Sequence, residues 1–421
     1  MTKRRRAGET IRFVDEYCAH YEHLFKDVRS VEHFKLLHIG MISELPRKTL
    51  PAIARIVGAS HAQGLHHFLA EAEWEVDAFR AQRIALTRQA IGDQAIVLCI
   101  DETGDKKKGK TTDYVARQYI GNPGKIDNGM VSVNAYGVVD NITFPLYFKV
   151  FKPRKRLKEA DSYQTKPTIA VELIRQVHAA GFTIELVLAD CLYGESGDFI
   201  SALGGLNLRF VVAIRDNHGV WMPAGERIRY TQWRSFERVF ADDSTQTRYI
   251  REVIYGKRHQ IRYFQLTTDP QTLPAETTAF VMTNLTGNVR ARLGNDYGVR
   301  TWIEYGFKQV KNELGWADYR VTSYPAIQRW WELIFSAFLM VVLHTPAFQQ
   351  HQPLVPPITE PLPQHPWWST ERHWKATLNN LRLIIQPFVS RALLLPWLVV
   401  FPMPDLAHGL HRLVACINGF P

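Results

Sequence analysis

Two uninterrupted aliphatic runs, Ala95 to Ile100 and Ile184 to Ala189, each end in an acidic residue followed by turn chemistry: Asp101-Glu102-Thr103-Gly104 and Asp190-Cys191-Leu192-Tyr193-Gly194. Short aliphatic and β-branched runs bounded in this way predict buried central strands. Arg209 to Ile214 reads as another core strand, Val131 to Val139 and Thr143 to Phe151 as a strand pair, and Trp221 to Thr283 as a strand-rich stretch. The first 90 residues carry helical periodicity instead, over Thr10 to Phe25, Val31 to Ile42, Thr49 to Val57 and a long amphipathic segment from Ala62 to Ala90. Helical spacing returns between Asn295 and Ala317. The prolines from Pro353 to Pro366 predict a linker or extended arm, and a Trp- and Leu-rich helical tail follows it. Two long apolar stretches, Leu333 to Leu343 and Ala392 to Pro404, fall short of the roughly 20 residues of a membrane span and are expected to be buried.

With 421 residues, 46% of them hydrophobic, the chain can bury a sizeable core divided into two or three structural units. Its four cysteines, Cys18, Cys99, Cys191 and Cys416, are far apart and lack metal-ligand spacing, which argues for a reducing, cytoplasmic setting. No secretory signal is expected, because the basic start lacks an apolar segment.

The chemistry gathers around three acids. A buried strand aims its C-terminal residue at the crevice where α/β sheets place ligands. Either Asp101 or Asp190 alone is better explained as a turn former or a helix cap. In Tyr297-x2-Arg300-x3-Glu304-x6-Lys311, however, α-helical geometry puts all four residues within about 60° of one another. An ion pair between Arg300 and Glu304 accounts for only two of the four. A phosphodiester reaction on two divalent metals needs carboxylates to hold the ions, with cations and hydroxyls to place the phosphates. Carboxylate oxygens suit Mg²⁺, with Mn²⁺ able to substitute.

Charge supports a polyanionic partner. The chain holds 51 Lys+Arg against 41 Asp+Glu, a net +10. The excess clusters at Lys3 to Arg6, at Lys106, Lys107, Lys108 and Lys110, and from Lys152 to Lys158. The second cluster also satisfies the P-loop pattern from Gly104 to Thr111, so a P-loop nucleotide hydrolase is a rival reading. A P-loop must open a helix whose N-terminus holds the phosphates. The following Thr112 to Ile120 is rich in β formers and runs into Gly121 and Gly124, so the lysines read as a phosphate-contacting loop beside Asp101 or as a solvated charge run.

Taken together, Asp101-Glu102-Thr103-Gly104, the Ala116-Arg117-Gln118-Tyr119-x-Gly121-x-x-Gly124-Lys125 stretch, Leu188-Ala189-Asp190-x-x-Tyr193-Gly194 and the Tyr-Arg-Glu-Lys segment resemble the DDE transposases of bacterial insertion sequences. The resemblance points to the insertion sequence 701 family, related to the insertion sequence 4 group, and runs from about Phe68 to about Tyr324.

The resemblance implies a metal-binding triad of Asp101, Asp190 and Glu304, with two Mg²⁺ ions per site, and phosphate contacts from Tyr297, Arg300 and Lys311. It implies an α/β fold: a ribonuclease-H-like catalytic core interrupted by a β-strand-rich insertion, with helical N-terminal and C-terminal regions. The expected divisions are 1–90 (helical, DNA-binding), 91–349 (catalytic core, with the insertion at about 216–285) and 350–421 (linker and helical tail). In relatives an insertion tryptophan stacks a flipped base. Trp221 and Trp233 are the candidates, each equally explained as a core or interface aromatic. Lys106, Lys107, Lys108, Lys110, Arg117 and Lys125 are further candidate DNA contacts. The implied activity is cut-and-paste transposition: binding of terminal inverted repeats, cleavage at the ends, and joining of the freed 3′-OH to target DNA. The implied partners are transposon-end DNA, target DNA and a second copy of the chain in the DNA complex, in the bacterial cytoplasm at the nucleoid, with no membrane. A non-catalytic DNA-binding derivative is the remaining alternative, against which the intact acids argue.

Overall fold

The computed structural model describes residues 5–121, 124–220, 222, 224–240, 244–256, 260–349 and 364–418. Contacts divide the chain into two compact units: Met1–Ala90, Thr111–Asp113 and Lys308–Pro421 form one, and Ile91–Lys110 with Tyr114–Phe307 the other.

The first unit is helical. Its N-terminal part consists of α1 (Arg12–Ala19), α2 (Val28–Ile42), α3 (Leu50–Ile56), α4 (Gln63–Ala70) and α5 (Val76–Ile91). The single long helix expected over Ala62 to Ala90 is therefore two. The chain turns at Glu71–Glu75, where the Trp74 indole donates to the Phe68 carbonyl (2.9 Å) and stacks on the Phe68 ring, giving the break a packed aromatic anchor.

The second unit carries one large mixed sheet with strands β1 (Ile96–Lys106), β2 (Ala116–Ile120), β3 (Lys125–Val139), β4 (Ile142–Val150), β5 (Ile184–Ala189), β6 (Phe210–Ile214), β7 (Arg229–Tyr230), β8 (Arg234–Val239), β9 (Thr245–Ile254), β10 (Arg262–Thr267) and β11 (Ala279–Thr283). Its main path runs β2-β3-β1-β5-β6-β11-β10-β9-β7, with β4 on β3 and β8 on β9. The long β3 pairs β2 with its first half and β4 with its second, while its other edge runs antiparallel to β1. Strands β1, β5 and β6 are parallel, joined by helical crossovers containing α6 (Lys166–Ala179), α7 (Cys191–Gly194) and α8 (Gly197–Gly205). Such connections are what parallel pairing demands. Near-continuous apolar residues in β5 and β6 match strands covered on both faces. Strands β7 to β11 extend the same sheet antiparallel from β6 and lead into α9 (Arg290–Gly298) and α10 (Thr301–Lys308).

The chain then completes the helical unit with α11 (Tyr324–Leu343), α12 (Thr345–Gln349), α13 (Trp374–Val400) and α14 (Pro404–Ile417). Residues 308–349, assigned from sequence to the core region, thus group with residues 1–90. Helix α11 is the centre of that unit: Trp330, Trp331 and the run from Leu333 to Val341 are buried. Its polar residues are matched from other helices. Ser336 bonds Tyr17 and His38, and Glu332 is gripped by Arg80 (2.6 Å) and Arg83 (3.0 Å).

The first run lies in a 26-residue helical segment, Tyr324–Gln349, that takes in α11 and α12, and most of the second lies in α13, of 27 residues, so the expectation about span length needs correction. In the first, 78% of its apolar 18-residue stretch is buried, as in a core helix. In the second, only 22% of the corresponding 18-residue stretch is buried, against the expectation of burial: Pro396 is accommodated inside α13, and most residues from Leu393 to Phe401 are exposed.

Candidate active site

Register explains why Asp101 and Asp190 meet. The parallel pairing of β1 with β5 ends at Ile100 opposite Ala189, so Asp101 and Asp190 are the next residues on two adjacent strands. Asp101 does not close its strand, as expected from sequence. Antiparallel partner β3 keeps pairing β1 as far as Lys106 opposite Gly129 after β5 has turned away. This leaves one edge of β1 open beside the carboxylates. Asp190 caps α7, accepting from the Leu192 N–H at 2.9 Å, so the cap reading and the site reading are both true of it. Gly194 closes that turn against β6: a Cβ there would lie 2.0 Å from the Ala213 carbonyl oxygen, which excludes any larger residue.

A third carboxylate joins them. Single oxygens of Asp101, Glu102 and Asp190 lie within 4.8 Å of one another. Neighbouring strand residues point to opposite faces, and Glu102 is held from the face covered by α6 and α7: Lys166 donates to Oε1 and the Tyr193 hydroxyl to Oε2, each at 2.9 Å. Sequence reasoning did not select Glu102 or Lys166. Alternation along a strand argues against Asp101 and Glu102 sharing a pocket, and only the open edge of β1 permits it.

Glu304 reaches the group through Arg300. The guanidinium sits 3.1 Å from Asp101 Oδ2 and 3.2 Å from Glu304 Oε1, with the Tyr297 ring centroid 5.9 Å away. The expected continuous helix is broken here. Helix α9 ends at Gly298, a tight turn follows in which Arg300 N–H donates to the Tyr297 carbonyl (3.1 Å), and α10 begins at Thr301. Lys311 lies in a π-helical stretch, Gln309–Glu313, in the other compact unit. The stripe deduced from uniform α-geometry is therefore incorrect, because the i→i+5 bonds of a π-turn change the angle per residue. Arg300 joins Asp101 to Glu304 by ionic contacts, and the Tyr297 ring lies against the same guanidinium. Gly306 lets α10 approach the sheet: a Cβ there would be 2.7 Å from Tyr136 Cε1.

The electrostatics are those of crowded acids. Burial pushes the Asp101 carboxyl up to about 7; Arg300 opposes this rise while Asp190 and Glu102 add to it. Asp190 is raised by burial and then by Glu102. Burial disfavours the Arg300 charge, yet Tyr297, Asp101, Glu304 and Asp190 together hold its pKa above the ordinary value. All these donors are oxygens, the set that hard divalent cations prefer. Directly across the ladder from Asp101, Asn134 is fully buried and its Oδ1 has no hydrogen-bond partner. Three close carboxylate oxygens fit a divalent ion.

A pH dependence follows. The ordinary value for Asp101 is 3.8 and the folded one is higher, so ionisation costs the fold stability as pH rises from about 4 through 7. Below pH 7 an incoming cation must displace this proton. Calorimetric titration should find Mn²⁺ affinity climbing about tenfold per pH unit towards 7 and levelling off above it; a flat profile from pH 5 to 8 contradicts the assignment.

The other candidates are dispersed. Lys106 pairs with Asp127 at 2.6 Å, the Lys107 N–H donates to the Asn128 carbonyl, and Lys108 and Lys110 are exposed in the following loop. Arg117 and Lys125 are exposed on the β2–β3 hairpin. Trp233 is half-buried with the Arg251 guanidinium 4.4 Å from its ring centroid, and Trp221 lies outside the described residues. The P-loop reading fails: Gly104 to Lys106 are part of β1, and among the described residues no α-helix follows before α6.

Carboxylates gathered on a mixed sheet, Asp101 and Glu102 within β1 and Asp190 after β5, beside the Arg300–Glu304 pair, are a donor set suited to a metal-dependent enzyme. A family profile described as DDE superfamily endonuclease matches residues 21–244, a span that includes Asp101, Glu102 and Asp190 and stops short of Glu304. The chain belongs to that family and is an enzyme of the DDE class. It groups more narrowly with the insertion sequence 701 transposases: it is 55% identical over 329 residues to a protein described as a probable transposase for insertion sequence element IS701 from Microchaete diplosiphon, covering 78% of this chain and 87% of that one. Among solved structures, the piggyBac transposase synaptic complex with hairpin DNA aligns over 97% of this chain and 81% of its own, with a TM-score of 0.49 and 8% identity. The family assignment stands without it.

Proposed function

We propose that this protein binds the terminal inverted repeats of its insertion sequence, hydrolyses the phosphodiester at each end, and joins the freed 3′-OH to target DNA. The observation that carries the proposal is the convergence of Asp101 and Asp190 with Arg300-tethered Glu304. In this reading the sheet order β4-β3-β1-β5-β6 is a ribonuclease-H-like core, and β7 to β11 belong to an insertion at about 216–285.

Asp101, Asp190 and Glu304 hold the metal ions. When bound there, two Mg²⁺ ions supply an activated water and charge stabilisation for the attacked and leaving oxygens. Arg300 and Tyr297 place the phosphate of the transposon end: a guanidinium offers a planar fork to two phosphate oxygens, and the phenol adds a donor. Lys311 is assigned to the same DNA backbone, and Lys108, Lys110, Arg117 and Lys125, with Lys106 and Lys107, to salt-dependent contacts farther out. Trp233 is the described candidate for stacking an unpaired base. Residues 1–90 are assigned to end recognition and the helices from Trp374 onward to a helical tail; the expected linker at 350–363 lies outside the described residues. A second copy of the chain is the assigned partner in the DNA complex. The exposed apolar run Leu393, Leu394, Leu395, Trp397, Val399 and Val400 supports this, being the kind of surface that obligate interfaces cover.

Incubation with duplexes carrying the element's own ends tests the function. Strand cleavage at the terminus is expected with Mg²⁺ or Mn²⁺ and not with chelator, and it disappears in Glu304→Gln. Tight binding without any cut supports the non-catalytic alternative.

A further inference from the structure

We propose that Glu102 is a metal ligand of the active site, acting with Asp101 and Asp190, and that these three carboxylates, without Glu304, form the site that captures the first divalent ion before DNA arrives. The inference rests on the metal-dependent reading above and adds a residue to it.

Three observations support it. First, the oxygens within 4.8 Å of one another belong to Asp101, Glu102 and Asp190; Glu304 is not among them. The Glu304 carboxylate instead contacts Arg300, and its side chain is 51% exposed. Second, Glu102 is held ready. Its two oxygens take one hydrogen bond each, from Lys166 and from Tyr193, and its side chain is 18% exposed. A carboxylate offers about four lone-pair directions, so each oxygen keeps one for a cation, and the rotamer entropy of a glutamate has already been spent. Third, the buried Asn134 opposite Asp101 leaves its Oδ1 without a partner. A carbonyl oxygen in that position is satisfied by a cation or by a water on it.

Geometry divides the labour. Asp101 comes from the sheet face beneath α9 and α10, Glu102 from the face beneath α6 and α7, and Asp190 from the end of β5 between them. Their oxygens come together where β5 stops pairing with β1. Glu304 is not free to join them while Arg300 holds it. Its carboxylate becomes available once the guanidinium turns to a DNA phosphate, so a second ion, or the completed shell of the first, waits for the substrate. Lys166 and Tyr193 act through Glu102 as positioning residues.

Mn²⁺ binding to the full-length protein without DNA, followed by calorimetry and by the loss of free-ion electron paramagnetic resonance signal at fixed pH, separates the possibilities. The wild type should bind. Glu102→Gln and Asp190→Asn should weaken binding by about tenfold or more, the scale seen when a group supporting a metal is lost, whereas Glu304→Gln should bind as the wild type does. Thermal unfolding without metal controls for folding, and Glu102→Asp should recover part of the affinity. Wild-type affinity in Glu102→Gln with loss in Asp190→Asn overturns the role of Glu102 and leaves the transposase reading intact. Unchanged binding in both overturns the metal site itself. Failure of the wild type to take up Mn²⁺ without DNA, or loss in Glu304→Gln equal to that in Glu102→Gln, overturns the proposed order of capture.

Discussion

Asp190→Asn should abolish end cleavage, lowering its rate at least about a thousandfold, while end-DNA binding and thermal stability persist. The size follows from the task. A metal ion supplies several kcal/mol of charge stabilisation in the transition state, and a thousandfold is about 4 kcal/mol. The substitution is selective because Asn is nearly isosteric and its carbonyl oxygen can still accept the Leu192 N–H that caps α7. Only the negative charge among Asp101, Glu102 and Asp190 is lost. Single-turnover cleavage of a labelled end duplex, alongside a binding shift on the same duplex, gives both quantities. Cleavage within tenfold of the wild type would remove Asp190 from the machinery.

The second large effect is on stability and lies away from the chemistry. Glu332 is fully buried on α11, with Arg83, also fully buried, and Arg80 both donating to its carboxylate. Glu332→Leu would take this carboxylate from the fully buried Arg83 guanidinium and would leave Arg80 with its contact to the exposed Asp77. Removing one partner of a buried pair costs about 3–5 kcal/mol, much of it the desolvation of the abandoned charge. Denaturation followed by tryptophan fluorescence reports on this region directly, because Trp330 and Trp331 adjoin Glu332 in the sequence and are buried. A midpoint shift worth less than about 1 kcal/mol would mean that water reaches the site. Replacing the arginines with methionine as well should recover part of the loss, since an apolar trio leaves no unpaired charge.

What the sequence made legible was local. Strand β5 runs Ile184–Ala189, the run expected from its aliphatic pattern, and Asp190 follows it as the residue that both caps a turn and faces the crevice. The parallel β1–β5 pair and the antiparallel β3–β4 pair lie where apolar composition put strands. The rest depended on long-range partners that no local pattern records. The end of β5 pairing frees an edge of β1 for Glu102, although strand alternation separates it from Asp101. The break at Gly298–Arg300 is invisible to a period count, because the four intended residues remain at helical spacing while the backbone between them changes form. The grouping of 308–349 with the N-terminal helices follows from what α11 buries, and the exposure of α13 beyond Leu393 follows from what fails to cover it.

The family relationship and the carboxylate geometry make complementary statements. The match over residues 21–244 includes Asp101, Glu102 and Asp190 and excludes Glu304, while the helix that carries Glu304 is joined to Asp101 by Arg300. A guanidinium between two carboxylates keeps their repulsion down in the metal-free protein and presents a phosphate-binding group at the place where DNA must arrive.

Anomalous diffraction at the manganese edge, from crystals of the protein bound to its element end, tests the central claim most directly. Two manganese peaks are expected in this crevice, which Asp101, Glu102, Asp190 and Glu304 would hold between them. Peaks absent from this crevice, or a Glu304 carboxylate that remains on Arg300 and away from any metal while the end is bound, would contradict it.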